Sequence, residues 1–190
     1  MHLKNAAPFL EECLISILHQ KEKNWELIAV DDGSVDSSPE LLKKFAKRAP
    51  RIKVFRNYGH GIIHALRLAY SKSSGSLIHR MDADDIMPHK KLEILRDLLK
   101  QAGKGFIATG KVRYYDKEAI SQGYLEYEEW LNSLCENKSH WQNIYRECVI
   151  ASPAWLIHRD DLEKIGAFHS DHYPEDYDLV FRMYKSELKV

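Results

Sequence analysis

The sequence predicts an α/β fold built on a mostly parallel, Rossmann-like sheet flanked by helices. Short apolar runs alternate with amphipathic segments of helical period, two of those runs stop abruptly in aspartate-rich loops, and proline or serine stands where helices should begin. Each element can be justified in chain order.

Leu10, Cys13, Leu14, Ile17 and Leu18 recur at helical spacing from Pro8 to about Gln20, with Glu11 and Glu12 near the positive end of the helix dipole. Trp25 to Val30 is an apolar run stopped by Asp31-Asp32-Gly33-Ser34, and its length and abrupt polar ending favour a buried strand. Ser38-Pro39 opens the next helix as N-cap and first-turn proline, with Leu41, Leu42 and Phe45 on one face. Ile52 to Phe55 reads as a strand, Asn57 to Gly61 as a turn, and Ile62 to about Ser71 as a helix. A further strand, Leu77 to Met81, runs into Asp82-Ala83-Asp84-Asp85, after which Pro88 starts a helix carrying Leu92, Leu95, Leu98 and Leu99. Residues 6 to about 110 therefore read as βαβ units. Past Tyr115 the regularity fades into a stretch rich in Tyr, Trp and Glu, with a helix around Tyr127 to Glu136. It returns with a short strand, Trp155 to His158, a helix from Arg159 to a stop at Gly166, and a last helix from about Glu175. No linker, repeat or low-complexity stretch divides the chain, so 1–190 is expected to be a single domain.

Composition narrows the classes of function. Lys+Arg and Asp+Glu both total 28, so no bulk charge draws the chain to nucleic acid or an anionic membrane, and 44% hydrophobic residues suffice for a core. The three cysteines, Cys13, Cys135 and Cys148, form no C-x-x-C pair, which argues against a disulfide framework or structural zinc and fits a reducing cytoplasm. The longest charge-free apolar run, Val149 to Ile157, is broken by Ser152 and Pro153, and Met1 to Asn5 has no apolar signal core, so neither a transmembrane segment nor a secretion signal is expected.

In an open parallel sheet, ligands bind beyond the carboxyl ends of the strands, where loops and helix N-termini converge. Asp31 and Asp32 follow one such strand and Asp82, Asp84 and Asp85 another. Crowded carboxylates raise each other's pKa unless a cation or donors compensate, and an all-oxygen set selects hard ions, Mg²⁺ or Mn²⁺, with substrate phosphates completing the sphere. That pattern points to a metal–diphosphate substrate. The plainer reading of each loop is a turn or a helix cap, but a cap needs one acceptor and Asp82 to Asp85 supplies three acids. Gly59-His60-Gly61 lacks the third glycine of a dinucleotide fingerprint, and no P-loop, H-E-x-x-H or G-x-S-x-G is present. In Tyr173-Pro174-Glu175-Asp176-Tyr177-Asp178-Leu179 the acids either complement a helix dipole or supply a general base.

Taken together these residues resemble family 2 glycosyltransferases of the GT-A fold. The resemblance runs from Asn5-Ala6-Ala7-Pro8-Phe9-Leu10, Ser16-Ile17-Leu18 and Gln20 through Asp31 to Ser38, Gly61, Ala65-Leu66 and Ser74-Gly75. It continues in Met81-Asp82-Ala83-Asp84-Asp85 with Pro88, Gly166-Ala167-Phe168 and Glu175-Asp176-Tyr177-Asp178-Leu179. It implies a nucleotide-sugar-binding half over about 1–110 and an acceptor-side half over about 111–190. It implies donor contacts from Asp31, Asp32, Arg80 and Asp82, with Asp82 and Asp84 as a DXD motif whose metal is held by Asp84, Asp82 and Asp85. It also implies a catalytic base at Asp176, with Glu175 as runner-up, and Arg182 orienting that pair. The partners implied are a nucleotide-diphosphate sugar, a UDP-sugar first, and a saccharide or lipid-linked acceptor, with Mg²⁺ or Mn²⁺ as cofactor and self-association allowed. The implied reaction is inverting sugar transfer in cell-surface polysaccharide or glycolipid synthesis. The implied location is the cytoplasm, extending to the inner face of the membrane. Aromatic residues such as Trp130, Tyr145 and Trp155 are candidates for an acceptor platform, core packing being the simpler role of each.

The sequence departs from the family at both ends. The apolar first strand of the family fold is missing, since only four residues precede Asn5, and His2 stands at the proline position of the usual turn. Either the flanking strands close up or another segment fills the gap, because exposed ladder groups must be paired. No Gln-x-x-Arg-Trp motif of processive synthases occurs. The rival reading is a catalytically inactive nucleotide-sugar-binding or scaffold remnant. A nucleotidyltransferase is more distant, for want of a glycine- and lysine/arginine-rich triphosphate loop.

Overall fold

A computed structural model describes residues 1–59, 61–115, 119–169, 171–172 and 174–190. His60 and Tyr173, which belong to motifs singled out above, lie outside the described residues. The first strand of the described chain, β1, is His2–Leu3. It leads into α1 (Ala7–Leu18), whose Leu10, Cys13, Leu14 and Ile17 are buried as their spacing predicts. β2 (Leu27–Asp31) is buried at every residue, which is why its first four, Leu27 to Val30, are all apolar. α2 (Ser38–Arg48) and β3 (Ile52–Arg56) follow. β1, β2 and β3 form one parallel sheet in that order, with Leu3 opposite Asp31 and Asp31 opposite Arg56. Ser38 departs slightly from expectation. Its buried hydroxyl accepts the Ala6 N–H at 2.9 Å instead of capping α2, whose N-cap is Ser37.

The parallel pattern then stops. α3 (Ile62–Lys72) packs on β2, but β4 (Leu77–His79) pairs antiparallel with β6 (Leu156–His158), which also takes β5 (Ile107–Ala108). The sheet expected over residues 6 to 110 is therefore two three-stranded sheets, one parallel and one antiparallel. α4 (Lys91–Ala102) begins three residues after Pro88, its buried stripe being Leu95 and Leu99. α5 (Gln122–Asn137) starts earlier than the Tyr127 expected, while α6 (Arg159–Lys164) and α7 (Glu175–Lys185) lie where the sequence puts them. The largest core cluster surrounds Trp155 and joins β6, α5, α6 and α7. Trp155 itself is 1% exposed, so it serves packing and cannot be an acceptor platform.

The first strand of the family fold is missing but for a remnant, and, contrary to expectation, the gap it leaves is neither closed up nor filled by the described residues. β1 keeps two residues of such a strand, hydrogen-bonded to β2 through Met1 N to Ile28 O (2.9 Å) and Asp32 N to Leu3 O (2.9 Å). Upstream of it the flanking strands do not close up. A cleft of about 580 Å³ lies between Leu27–Ile28 of β2 and Leu77–His79 of β4, floored by Met1, Ala69 and Tyr70. Ser76 O accepts Arg159 N on the β6 side, so by antiparallel alternation the backbone groups of Leu77 and His79 face this cleft. No strand pairing crosses it among the described residues.

Candidate functional site

The first acidic loop is fixed from two directions. On one side Asn5, in the left-handed region at φ 52°, accepts Val35 N–H on its Oδ1 at 2.9 Å and donates its own N–H to Ser34 Oγ at 2.9 Å. Asp31 accepts Ser34 N–H at 3.1 Å. On the other side the buried Asp32 carboxylate accepts Asn57 Nδ2 at 2.6 Å and the Gly61 N–H at 3.1 and 3.0 Å on its two oxygens. Gly61 sits at φ +87°, a conformation that favours glycine. Asp32 thus clamps the turn between β3 and α3, a role its motif does not disclose. Asn57, the partner, stands directly after a strand and before two closely spaced glycines, which was the available signal.

The second acidic loop follows β4 and is held by α1. Ser16 Oγ accepts Met87 N–H at 2.9 Å, while the fully buried Gln20 donates to Met87 O (3.2 Å) and Pro88 O (2.8 Å) and accepts Leu92 N–H (3.2 Å). Met81 and Ala83 are buried against the α1 core, which leaves Asp84 exposed and Asp82 part-exposed between them. Burial, then the neighbouring Asp82 and Asp84 charges, push the Asp85 carboxyl up to about 6. Across from it Lys91 is drawn down to about 8 by burial, against the pull of Asp85 and Asp82, and its ammonium donates to Pro153 O. The all-oxygen chemistry of Asp82, Asp84 and Asp85 is of the kind that suits Mg²⁺ or Mn²⁺, but among the described residues no three acids, histidines or cysteines are grouped closely enough to hold an ion as they stand.

Arg80 joins this loop to α7. Its buried guanidinium lies 3.3 Å from Asp82 Oδ1 and 3.0 Å from Glu175 Oε1. Asp176 stands beside Glu175 in the first turn of α7, where helix N–H groups lack partners, and accepts the Tyr177 N–H at 2.9 Å. The Cys148 thiol is pushed up to about 12, first by burial and then by the Asp176 charge. His2, whose imidazole is pulled below its usual range by burial, lies 3.8 Å from Asp32 Oδ2. The structure brings Arg80, Asp82 and Glu175 into direct contact, with Asp84 and Asp85 following Asp82 in its loop and Asp176 following Glu175 on α7, while Asp32 meets His2. Arg182 is a correction: it bonds Asp178 Oδ2 at 2.8 Å and the Ile165 carbonyl, and Arg80 takes the place expected for it. None of these carboxylates lines the large cleft, whose wall includes Arg80 and His79.

Comparison with known proteins bears on this arrangement. Residues 1–166 match the model of glycosyl transferase family 2. The chain belongs to that family. An uncharacterized glycosyltransferase of Rickettsia bellii (strain RML369-C) is 33% identical over 161 residues, covering 85% of this chain and 21% of the relative. Among solved structures, the mannosyltransferase PcManGT from Pyrobaculum calidifontis, in complex with GDP-Man and Mn²⁺, superposes with a TM-score of 0.76 at 21% identity, covering 99% of this chain and 51% of that one. S. aureus TarS 1–349 in complex with UDP-GlcNAc gives a TM-score of 0.73 at 15% identity, covering 97% and 52%. These likenesses establish the GT-A fold. As a family 2 glycosyltransferase chain it spans less than half the length of the curated relatives it matches. No helix among its described residues is long and apolar enough to cross a membrane.

Proposed function

We infer that this chain carries the donor site and base of an inverting transferase that moves a sugar from a nucleoside diphosphate to a hydroxyl acceptor. The observation that carries this reading is the Arg80 bridge, which joins the acidic loop after β4 to the carboxylates that open α7. Sugar transfer needs both at once: positive charge at the diphosphate that leaves and a proton acceptor at the hydroxyl that attacks.

Asp84, with Asp82 or Asp85 beside it, would hold Mg²⁺ or Mn²⁺. Such an ion, when bound, supplies charge neutralisation at the diphosphate. Asp31 and Asp32, at the end of β2, contact the nucleoside, and Arg80 supplies a fixed positive charge near the phosphates. Asp176 takes the proton of the acceptor hydroxyl as that oxygen attacks the anomeric carbon on the face opposite the leaving diphosphate, with Glu175 held by Arg80 beside it. Residues 1–110 thus serve the donor and 111–190 the acceptor, within one domain. A UDP-sugar is the first donor to test, since TarS 1–349 binds UDP-GlcNAc and PcManGT binds GDP-Man. A saccharide or lipid-linked acceptor places the work in cell-surface polysaccharide or glycolipid synthesis, at the cytoplasmic side of the membrane.

Titration with UDP and Mn²⁺ followed by calorimetry tests the donor site. Binding is expected to require the metal and to fall at least tenfold in Asp84→Ala. Metal-independent binding, or an unchanged Asp84→Ala, overturns the assignment. The open cleft between β2 and β4 favours a second reading, a nucleotide-sugar-binding remnant without turnover. Metal-dependent release of UDP from UDP-sugars by the 190-residue chain excludes the remnant, and binding without release supports it.

A further inference from the structure

A row of aromatic rings runs from the acidic loop across the N-terminal half of α5. Tyr115 donates its hydroxyl to the Asp84 carbonyl at 3.2 Å, so the chain after β5 is laid directly on the loop after β4. The next ring, Tyr114, packs against Tyr124 (centroids 5.3 Å, tilted 48°) and Tyr127 (6.4 Å, tilted 37°). Tyr127 in turn stacks on Trp130 at 5.6 Å, and Arg146 covers the far face of that row at 5.4 Å from the Trp130 centroid.

The row is anchored underneath and open above. Tyr114 N–H is held by Glu128 at 2.5 Å, Val112 exchanges hydrogen bonds with the Asn132 side chain, and Tyr127 donates to Cys148 O at 2.8 Å. Those bonds tie the chain before α5, with Tyr114, to that helix and hold Tyr127 in place. Yet Tyr124 is 58% exposed and Tyr115 50%. The exposed end of the row therefore lies against the acidic loop at Asp84, and its inner end, through Tyr127, against Cys148.

We propose that Tyr124, Tyr114 and Tyr115 form the acceptor platform and that the acceptor is a saccharide ring. A pyranose has an apolar C–H face that rests on an aromatic ring and a rim of hydroxyls that carboxylates accept, and this surface offers both side by side. An acyl chain would use the rings and leave the carboxylates facing it unpaired; a basic peptide would use the carboxylates and not need the rings. The inference rests on the reading of Asp84 and Asp176 given above. In the step it serves, one acceptor hydroxyl oxygen forms a bond to the anomeric carbon, the bond from that carbon to the diphosphate oxygen breaks with its electron pair leaving on the diphosphate, and the hydroxyl proton passes to Asp176.

The test is saturation-transfer NMR on the full chain with chitotetraose, cellotetraose and maltotetraose as probes and decyl phosphate as the lipid-like control, each with and without UDP and Mn²⁺. Tyr124→Ala is expected to weaken the best oligosaccharide at least tenfold, while Tyr124→Phe stays within about threefold and UDP–Mn²⁺ affinity is unchanged in both. No oligosaccharide binding, binding indifferent to Tyr124→Ala, or Tyr124-dependent binding of decyl phosphate alone each overturns the platform. Loss of UDP–Mn²⁺ binding in the unsubstituted chain would instead sink the donor site, so the two failures are separable.

Discussion

Arg80 Nη2 lies 3.0 Å from Glu175 Oε1, and both side chains are largely removed from solvent. A pair of this kind holds together two segments that local sequence does not link. Removing one member leaves the other charge stranded, which typically costs more than the pair contributes. Arg80→Met should therefore lower stability by about 2–3 kcal/mol and cut transfer at least 100-fold. Adding Glu175→Gln should restore part of the stability and none of the activity. Chemical denaturation of the two single variants and the double variant, read as a cycle, measures the coupling; strict additivity would show that the contact is not formed in solution.

Gln20 is expected to matter as much to binding as to stability. Its amide holds Met87, Pro88 and Leu92 with no exposure to water, so Gln20→Ala leaves several buried groups without partners. A loss of about 2–3 kcal/mol is expected, visible as a lower thermal midpoint. Because the same bonds tether the loop bearing Asp82, Asp84 and Asp85, UDP–Mn²⁺ affinity should fall as well. Unaltered affinity in the folded variant would show that the loop keeps its shape without the tether.

His79 gives the fold an acid-side weakness. Its Nδ1 lies 2.6 Å from Trp155 O, which fixes the proton on that nitrogen, and burial drives the imidazole down to about 3. Unfolded chains protonate near 6.5, so between 6.5 and about 3 the unfolded state binds more protons and stability rises with pH. On acidification from pH 7 to 5 the folded state should lose on the order of 1 kcal/mol from this group, allowing for water in the adjoining cleft. His79→Gln should flatten that part of the pH–stability curve; an identical slope in the variant would assign the effect elsewhere.

Filling the cleft should strengthen the protein. Ala69 lies on its floor at 8% exposure, and Ala69→Leu adds apolar volume where neighbouring atoms are sparse. A gain of about 0.5–2 kcal/mol is expected in denaturant titration. A loss would mean that the space is too narrow at that point and the larger side chain is strained.

Helices α1, α3 and α4 were legible because apolar residues recur along them at one spacing, and β2 because all five of its residues are buried. The acidic loops were legible as excess carboxylate at strand ends. What the sequence withheld is long-range pairing. Leu77-Ile78-His79 is a recognisable strand, but three residues say nothing about the direction of a partner, and the antiparallel mate at Leu156–His158 comes much later in the chain. Gly123, a weak helix former in the first turn of α5, hid where that helix begins. Arg182 looked like the orienting arginine because it shares a helix with Glu175 and Asp176. The arginine that meets Glu175 is instead Arg80, and only the folded chain brings it near enough.

The seam between the two sheets carries one more consequence. Helices and side-chain bonds, not a backbone ladder, hold β2 and β4 across a cleft of some 580 Å³ that opens to solvent. Backbone groups on its β4 wall have no ladder partner across it, so they should trade hydrogen for deuterium well before the paired amides of β2 and β3. Leu77 and His79 should be among the first of the sheet amides to fade.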